Sequence, residues 1–136
     1  MKKLLQVFLI SIIFISCREE IVSPDNPAGN INEPVYSRTS FSYTFTINAE
    51  NITRLVRDNT NLNITSSRIF LIIDDYASGR VEINIQNDDS FIIYSSVFAN
   101  NTYGIIEEFE GYLPAYITIN FIDFTGKFKV ILSNSD

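Results

Sequence analysis

The sequence predicts an all-β domain: an antiparallel β-sandwich or jelly roll of about seven to eight short strands. A small, partly open β-barrel is the alternative. The composition favours strands, because the chain carries 11 Phe and 7 Tyr, and aromatic and β-branched residues suit a pleated surface. Apolar and polar residues also alternate in several stretches that are separated by turn residues. No apolar pattern with helical period is long enough for a core helix.

The clearest strand spans residues 40–48, where every second residue is apolar and one face of the strand is therefore buried. Residues 51–57 fit either one helical turn or a strand. Residues 58–67 are rich in Asn and predict a loop, with one short pairing around Leu62 and Ile64.

The middle of the chain predicts a meander of tight hairpins. Residues 68–74 are apolar on both faces, which is typical of a central strand. Residues 75–79 supply turn residues before the alternating strand 80–86. Residues 87–89 form the next turn, and residues 90–98 the next strand.

Residues 103–110 conflict with simple alternation, because a strand would place Glu107 on the same face as Ile105 and Phe109. A bulge, or a helical turn that ends at Gly111, would relieve the conflict. The chain then ends with two alternating strands, residues 115–122 and 127–133. The segment between them predicts a turn.

The first residues are typical of a secretory signal peptide. Lys2 and Lys3 precede an apolar run, residues 4–15, and the small residue Ser16 follows it. A membrane-spanning helix needs roughly twenty apolar residues, so this run is too short to span a bilayer. We therefore expect residues 1–16 to be removed.

The last four residues of this segment, Phe14-Ile15-Ser16-Cys17, resemble the lipobox of bacterial lipoproteins. The resemblance implies that Cys17 becomes the first mature residue and carries a lipid. It covers only the first seventeen residues and implies nothing about the domain. The alternative is an ordinary signal peptide that is followed by a cysteine. The chain has one Cys, so a disulfide within the domain is excluded.

Residues 17–35 predict a lipidated cysteine followed by a flexible tether, since this stretch holds three of the four prolines. The β-sandwich would then span residues 36–136. Arg18-Glu19-Glu20 resembles the signal that directs some Gram-negative lipoproteins to the cell surface, and a solvated linker is the alternative. We expect a lipid-anchored protein of the bacterial cell envelope, in the outer membrane, with its surface or periplasmic exposure open.

Charge and composition exclude several classes of function. Without Lys2 and Lys3, 8 basic side chains stand against 16 acidic ones, and such an acidic chain would be repelled by nucleic acid. The absence of His removes Ser–His and Cys–His catalysis and the commonest zinc ligand. We predict that the protein is not an enzyme and needs no cofactor.

The acidic residues offer weak candidates for metal binding and catalysis. Asp74-Asp75 and Asp88-Asp89 could each contribute to a calcium site, although solvated turn aspartates are commoner. A strand of seven residues would hold the two pairs roughly 23 Å apart, too far to share one ion. Glu108 and Glu110 resemble a glycosidase carboxylate pair only in spacing, and a charged, solvated edge strand is the simpler interpretation.

Three tyrosines are the candidate ligand contacts: Tyr76, Tyr103 and Tyr112 lie beside predicted turns and breaks. Exposed aromatic rings stack on sugars or anchor protein partners, although such rings also cover the edge of a core. The sequence therefore predicts a non-catalytic binding or adhesion module for a glycan or a protein. A structural accessory subunit of an envelope complex is the alternative. The ligand, strand order and oligomeric state stay open.

Overall fold

A computed structural model describes residues 29–135, so Cys17, the signal peptide and most of the expected tether lie outside the described residues. This part of the chain forms six strands and no helix. These six strands pair only antiparallel to one another, in the order β1-β2-β6-β3-β4, and β5 also pairs with β3. The strands are β1 Val35–Arg38, β2 Ser42–Asn59, β3 Ser66–Gln86, β4 Ile92–Phe98, β5 Thr102–Glu110 and β6 Tyr116–Asn134.

Three strands are long enough to run through two layers. β2, β3 and β6 contain 18, 21 and 19 residues, and the register between them shifts near the middle of each. Left-handed residues lie at these shifts, with φ values of 49°, 50° and 49° at Asn51, Asp75 and Asp123. Asn and Asp tolerate this conformation better than other side chains, so the sequence can bend the sheet here.

The bend divides the sheet into two facing layers. The first layer contains β1, β5 and residues 42–49, 66–74 and 126–134 of the long strands. The second contains β4 and residues 52–59, 80–86 and 116–122. Phe45 of the first layer lies against Phe121 of the second, with ring centroids 6.1 Å apart, so the core is between the layers.

Gly79 allows β3 and β6 to approach closely at the bend. Its φ is +80°, and a Cβ atom at this position would lie 2.3 Å from the carbonyl oxygen of Asp123. Any other residue would therefore force one of the two backbones to move.

Strict alternation along the long strands builds the core. Every second side chain is buried along most of β3 and β6 and the first half of β2, and four phenylalanine rings form the centre of the core. Burying side chains of this size contributes roughly 1.5–3 kcal/mol each, so the core is the main source of stability. The four rings belong to Phe45, Phe121, Phe124 and Phe128.

The fold class predicted from the sequence is confirmed: the domain is an all-β antiparallel sandwich, and its sheet is not closed into a barrel. Several of the expected short strands are halves of the three long ones. Residues 51–57 belong to β2 and residues 103–110 to β5, so both are strands. The turn expected at residues 87–89 is present, since Ser90 N donates to Asn87 O at 3.1 Å.

The hairpin turns predicted at residues 75–79 and 123–126 are wrong. Both segments lie inside long strands, and they run side by side, with Ser78 opposite Thr125. Their turn-type residues bend a strand from one layer into the other instead of reversing it. Residues 68–74 also differ from expectation, because one face is buried and the other is only half covered.

Polar contacts close the side of the sandwich formed by β1 and β2. Arg38 in the first layer forms an ion pair with Asp58 in the second, and the Tyr43 hydroxyl donates to the same carboxylate at 3.0 Å. Burial raises the pKa of Tyr43, and the neighbouring Asp58 charge raises it further. The hydrogen bond to Asp58 raises the pKa of Arg38, so this guanidinium stays charged.

The end of the expected tether lies against β2. Ile31 forms a parallel bridge with Asn48, and Asn32 N donates to Asn48 O at 2.8 Å. The Asn32 side chain donates to Glu50 O at 3.0 Å and accepts from Glu50 N at 2.8 Å. Its amide thus takes the place of a backbone partner, and the chain enters the domain beside the bend.

Candidate binding surfaces

Tyr76 is engaged within the domain. It lies at the bend, its hydroxyl donates to Gly79 O at 2.9 Å, and its ring lies 6.3 Å from that of Phe124. Its backbone N–H donates to the Asn101 side chain at 2.9 Å. Both its polar group and its ring are occupied, which fits the alternative interpretation that this tyrosine covers the edge of the core.

Tyr112 belongs to a stacked pair of exposed rings at the end of the sandwich away from the bend. Its ring centroid lies 5.5 Å from that of Phe91, and the two planes differ by 24°. The two residues are 45% and 55% exposed, respectively, so the pair presents aromatic surface to solvent. We call Phe91 and Tyr112 the aromatic platform.

Short backbone contacts hold both rings of the aromatic platform. Asn87 N donates to Phe91 O at 3.0 Å, and Phe91 N donates to the Asn87 side chain at 2.8 Å. On the other side, Gly111 takes a φ of +82° and donates its N–H to Thr65 O at 2.8 Å. Fixing a ring in advance lowers the entropy lost on binding, so this arrangement suits a binding surface.

A second aromatic pair lies three residues along the chain from the aromatic platform and is buried. It consists of Tyr94 in β4 and Phe109 in β5, with ring centroids 5.9 Å apart. β4 belongs to the second layer and β5 to the first, so both pairs join the layers on this side. Burial raises the pKa of Tyr94, and the nearby charge of Glu107 raises it further.

Tyr103 lies on a different surface, the outer side of the first layer. It is 79% exposed and stands opposite Ile72, while Phe70 stands opposite both Ile106 and Ile131. A bulge at Gly104 lets the Phe70 ring lie over the backbone, since a Cβ atom on Gly104 would be 3.2 Å from that ring. We call Phe70, Ile72, Tyr103, Ile106 and Ile131 the apolar side face.

The outer side of the second layer carries a polar cluster between the exposed apolar residues Leu55 and Val97. The Glu82 carboxylate accepts from the Asn120 side chain at 3.0 Å and from Arg80 Nε at 3.0 Å. These hydrogen bonds lower the pKa of Glu82, with the Asn120 bond as the larger cause. Arg57 lies over the Tyr116 ring at 5.4 Å. The Glu82 carboxylate is therefore hydrogen-bonded within the layer.

The two aspartate pairs do not come together. Asp74 and Asp75 lie at the bend, where the Asp75 carboxylate is 2.6 Å from the Lys127 ammonium. Asp88 and Asp89 lie in the turn between β3 and β4, at the other end of the layer. Within residues 29–135, no group of three or more acidic, His or Cys side chains is placed to hold a metal ion.

The glutamates of β5 fit a charged edge strand. Glu108 accepts from Arg68 at 2.9 and 2.6 Å and is therefore tied to the neighbouring strand. Glu107 does share its face with Ile105 and Phe109, but it stays exposed because β5 lies at the edge of its layer. A charge that points inward on an edge strand discourages pairing with other chains.

Sequence reasoning missed Phe91 and most of the apolar side face. Phe91 looked like an ordinary residue of the predicted strand 90–98, and its stacking partner is 21 positions away. The residues of the side face come from β3, β5 and β6, so only the pairing register brings them together. The exposed tyrosines were the signal available in the sequence.

Comparisons with known proteins give only distant similarities. No protein-family model and no curated protein matches the chain. The fold is similar to a subunit of Bacillus endospore appendages, described as disulfide-linked pili, with 13% identity, a TM-score of 0.45, and 76% of this chain and 92% of that chain covered. It is also similar to a family 29 carbohydrate-binding module, with 14% identity, a TM-score of 0.38, and coverage of 74% and 73%. Similarities this weak do not show what this chain binds.

Residues 29–135 contain no helix that is long and apolar enough to cross a membrane.

Proposed function

We propose that this protein is a non-catalytic binding module that holds a glycan against the aromatic platform. The observation that carries the proposal is the stacked, half-exposed pair of Phe91 and Tyr112. Aromatic rings offer a flat apolar surface with a partly negative face, which suits the C–H face of a sugar ring. Two nearly parallel rings offer this surface over a longer stretch than one ring does.

Polar groups beside the aromatic platform can serve the hydroxyl groups of a sugar. The turn that carries Phe91 also carries the exposed carboxylates Asp88 and Asp89, and the Tyr112 hydroxyl belongs to the platform itself. A binding site of this kind combines apolar surface for affinity with a few polar groups for orientation. The proposed site requires no ionisation change and no nucleophile.

The anchoring part of the proposal rests on the sequence before residue 29. A lipid on Cys17 would hold the domain at a bacterial envelope, and the twelve residues from 17 to 28 can span at most about 40 Å. The matched test compares the parent with Cys17→Ala for membrane association that resists a salt wash. Retention of the variant to the same degree contradicts lipid anchoring. Protease treatment of intact cells then distinguishes a surface-facing domain from a periplasmic one.

The platform is tested with a glycan array and then by titration of the best glycan against the full chain in detergent. We expect Phe91→Ala and Tyr112→Ala each to weaken binding at least tenfold, which is about 1.4 kcal/mol. Tyr103→Ala is the matched control, because it removes an exposed ring from another surface. Loss in Tyr103→Ala alone, or no glycan bound by the parent, overturns the proposal.

The apolar side face favours a second candidate function, an accessory subunit of an envelope complex. Its residues line up across three strands, and exposed apolar patches of this kind mark protein interfaces. This role is tested by purifying the full chain from envelopes, as the parent and as the Ile106→Lys variant, and comparing the proteins that co-purify with each. Loss of fixed partners in this variant, but not in Leu55→Lys on the second layer, supports it. Identical partner sets in both variants and the parent contradict it.

A further inference from the structure

The free edge of β4 is the feature that neither the proposed function nor the anchor explains. β4 pairs with β3 along one side, and among the described residues nothing pairs with its other side. An unpaired strand edge exposes backbone donors and acceptors that can bind another strand. β5 is the neighbouring edge in the first layer, which allows a direct comparison.

The two edges are protected very differently. Both strands have a bulge against β3, at Gly104 in β5 and at Ile93 in β4, so the difference lies in their charges. β5 carries Glu107, Glu108 and Glu110, and charges on an edge strand hinder pairing with a further strand. Residues 90–101, which include the whole of β4, contain no charged residue and no proline. Two of the exposed side chains of β4 are apolar, Ile92 at 51% and Val97 at 58% exposure.

We propose that β4 pairs with β4 of a second copy of this chain, antiparallel and across a twofold axis at Ser95. Any strand can meet its own copy in this way, and a twofold interface must be self-complementary. The sequence Ile92–Phe98 contains no charge, so about Ser95 no charge of one copy lies opposite a charge of the other. Ile93 lies opposite the partner's Val97, which gives an apolar pair on each side of the axis, and Tyr94 lies opposite the partner's Ser96.

The distribution of charged residues over the surface also favours self-association at the β4 edge. The chain has a net charge of −6, so two copies repel one another over most of their surface. The uncharged β4 edge avoids this repulsion within the second layer. In the first layer, the β5 glutamates of the two copies would approach each other. Added salt screens the repulsion between the two negatively charged copies, so salt should tighten the dimer.

This inference does not depend on glycan binding, because its test measures only the association of copies. Sedimentation of the full chain in detergent should show a dimer whose dissociation constant falls with salt. Val97→Lys places a charge at the edge and should weaken the dimer at least tenfold. Leu55→Lys is the matched control, since Leu55 stands in the same cross-strand row at the opposite edge of the layer. A monomeric parent, or equal effects of the two lysines, overturns the proposal.

A cross-link tests the register without relying on a destabilising charge. In a Cys17→Ala background, Ser95→Cys leaves one thiol, placed on the proposed twofold axis. Opposite residues of an antiparallel pair have Cα atoms about 4.5–5.5 Å apart, a separation that a disulfide can bridge. We expect oxidation to give a covalent dimer, and Leu55→Cys in the same background to give none. Equal cross-linking of the two variants contradicts the pairing.

Discussion

The close approach of β3 and β6 at Gly79 gives a sharp test of how the bend is built. The perturbation is Gly79→Ala, which adds one methyl group where a Cβ atom would lie 2.3 Å from Asp123 O. Gly111→Ala is the matched control, because Gly111 has almost the same φ, +82° against +80°, and open space around its missing Cβ atom. Both changes impose the same backbone strain, and only the first creates a collision.

The expected loss of stability in each variant follows from the backbone strain and, for Gly79→Ala, from the collision as well. A left-handed alanine costs about 1–2 kcal/mol relative to glycine, and Gly111→Ala should lose about this much. Gly79→Ala should lose a further ~1–3 kcal/mol, because one of two paired backbones must shift to admit the methyl group. With a total stability of roughly 5–15 kcal/mol, Gly79→Ala would lose a large share of it.

Urea unfolding of the two variants and the parent measures the difference. With an m-value of about 1–3 kcal/mol per molar urea, the midpoint should fall by up to about 2 M for Gly111→Ala and clearly further for Gly79→Ala. Unchanged m-values would show that the native state is still compact. Equal midpoint shifts in the two variants would refute the reasoning, because the close approach of the backbones would then carry no cost.

Two further predictions concern the left-handed Asn51 and the buried hydroxyl of Tyr43. Asn51→Val should destabilise the domain by about 1–2 kcal/mol and Asn51→Gly should not, because φ is 49° at this position and only the β-branched residue is strained there. The midpoints of urea unfolding of the two variants measure this difference, and equal midpoints contradict the prediction. The raised pKa of Tyr43 means that this phenol stays protonated in the folded chain while it ionises above about pH 10 in the unfolded chain. Its contribution is therefore complete below pH 10 and is lost as the pH rises further. Tyr43→Phe should flatten the fall of unfolding free energy above pH 10 by up to ~1.4 kcal/mol per pH unit, and an unchanged slope contradicts this.

The local part of the fold could be predicted from the sequence because alternation is a local signal. The buried face of residues 40–48 and the strand 80–86 both follow from it. The bends could not be predicted in this way. Asp75 and Gly79 are compatible with a tight hairpin or with a bent strand, and the choice depends on whether β6 runs alongside. That partner is more than 40 residues further along the chain.

The candidate surfaces were predictable only in part for the same reason. Tyrosines beside turns were a useful signal, but exposure depends on contacts with distant residues. The Tyr76 ring lies against Phe124, the Tyr112 ring stacks on Phe91, and Tyr103 lies opposite Ile72 on the apolar side face. Nothing in the spacing of the three tyrosines distinguishes these environments.

The position of β6 has a consequence for how the chain is made. The last strand in the sequence is the central strand of the sheet, and it pairs along its whole length with both β2 and β3. Ser42 pairs with Ser133, so most backbone partners of β2 become available only after β6 has been synthesised. Long-range pairing of this kind slows folding. β2 and β3 therefore lack their shared partner until β6 emerges, and a protein truncated before β6 would never supply it.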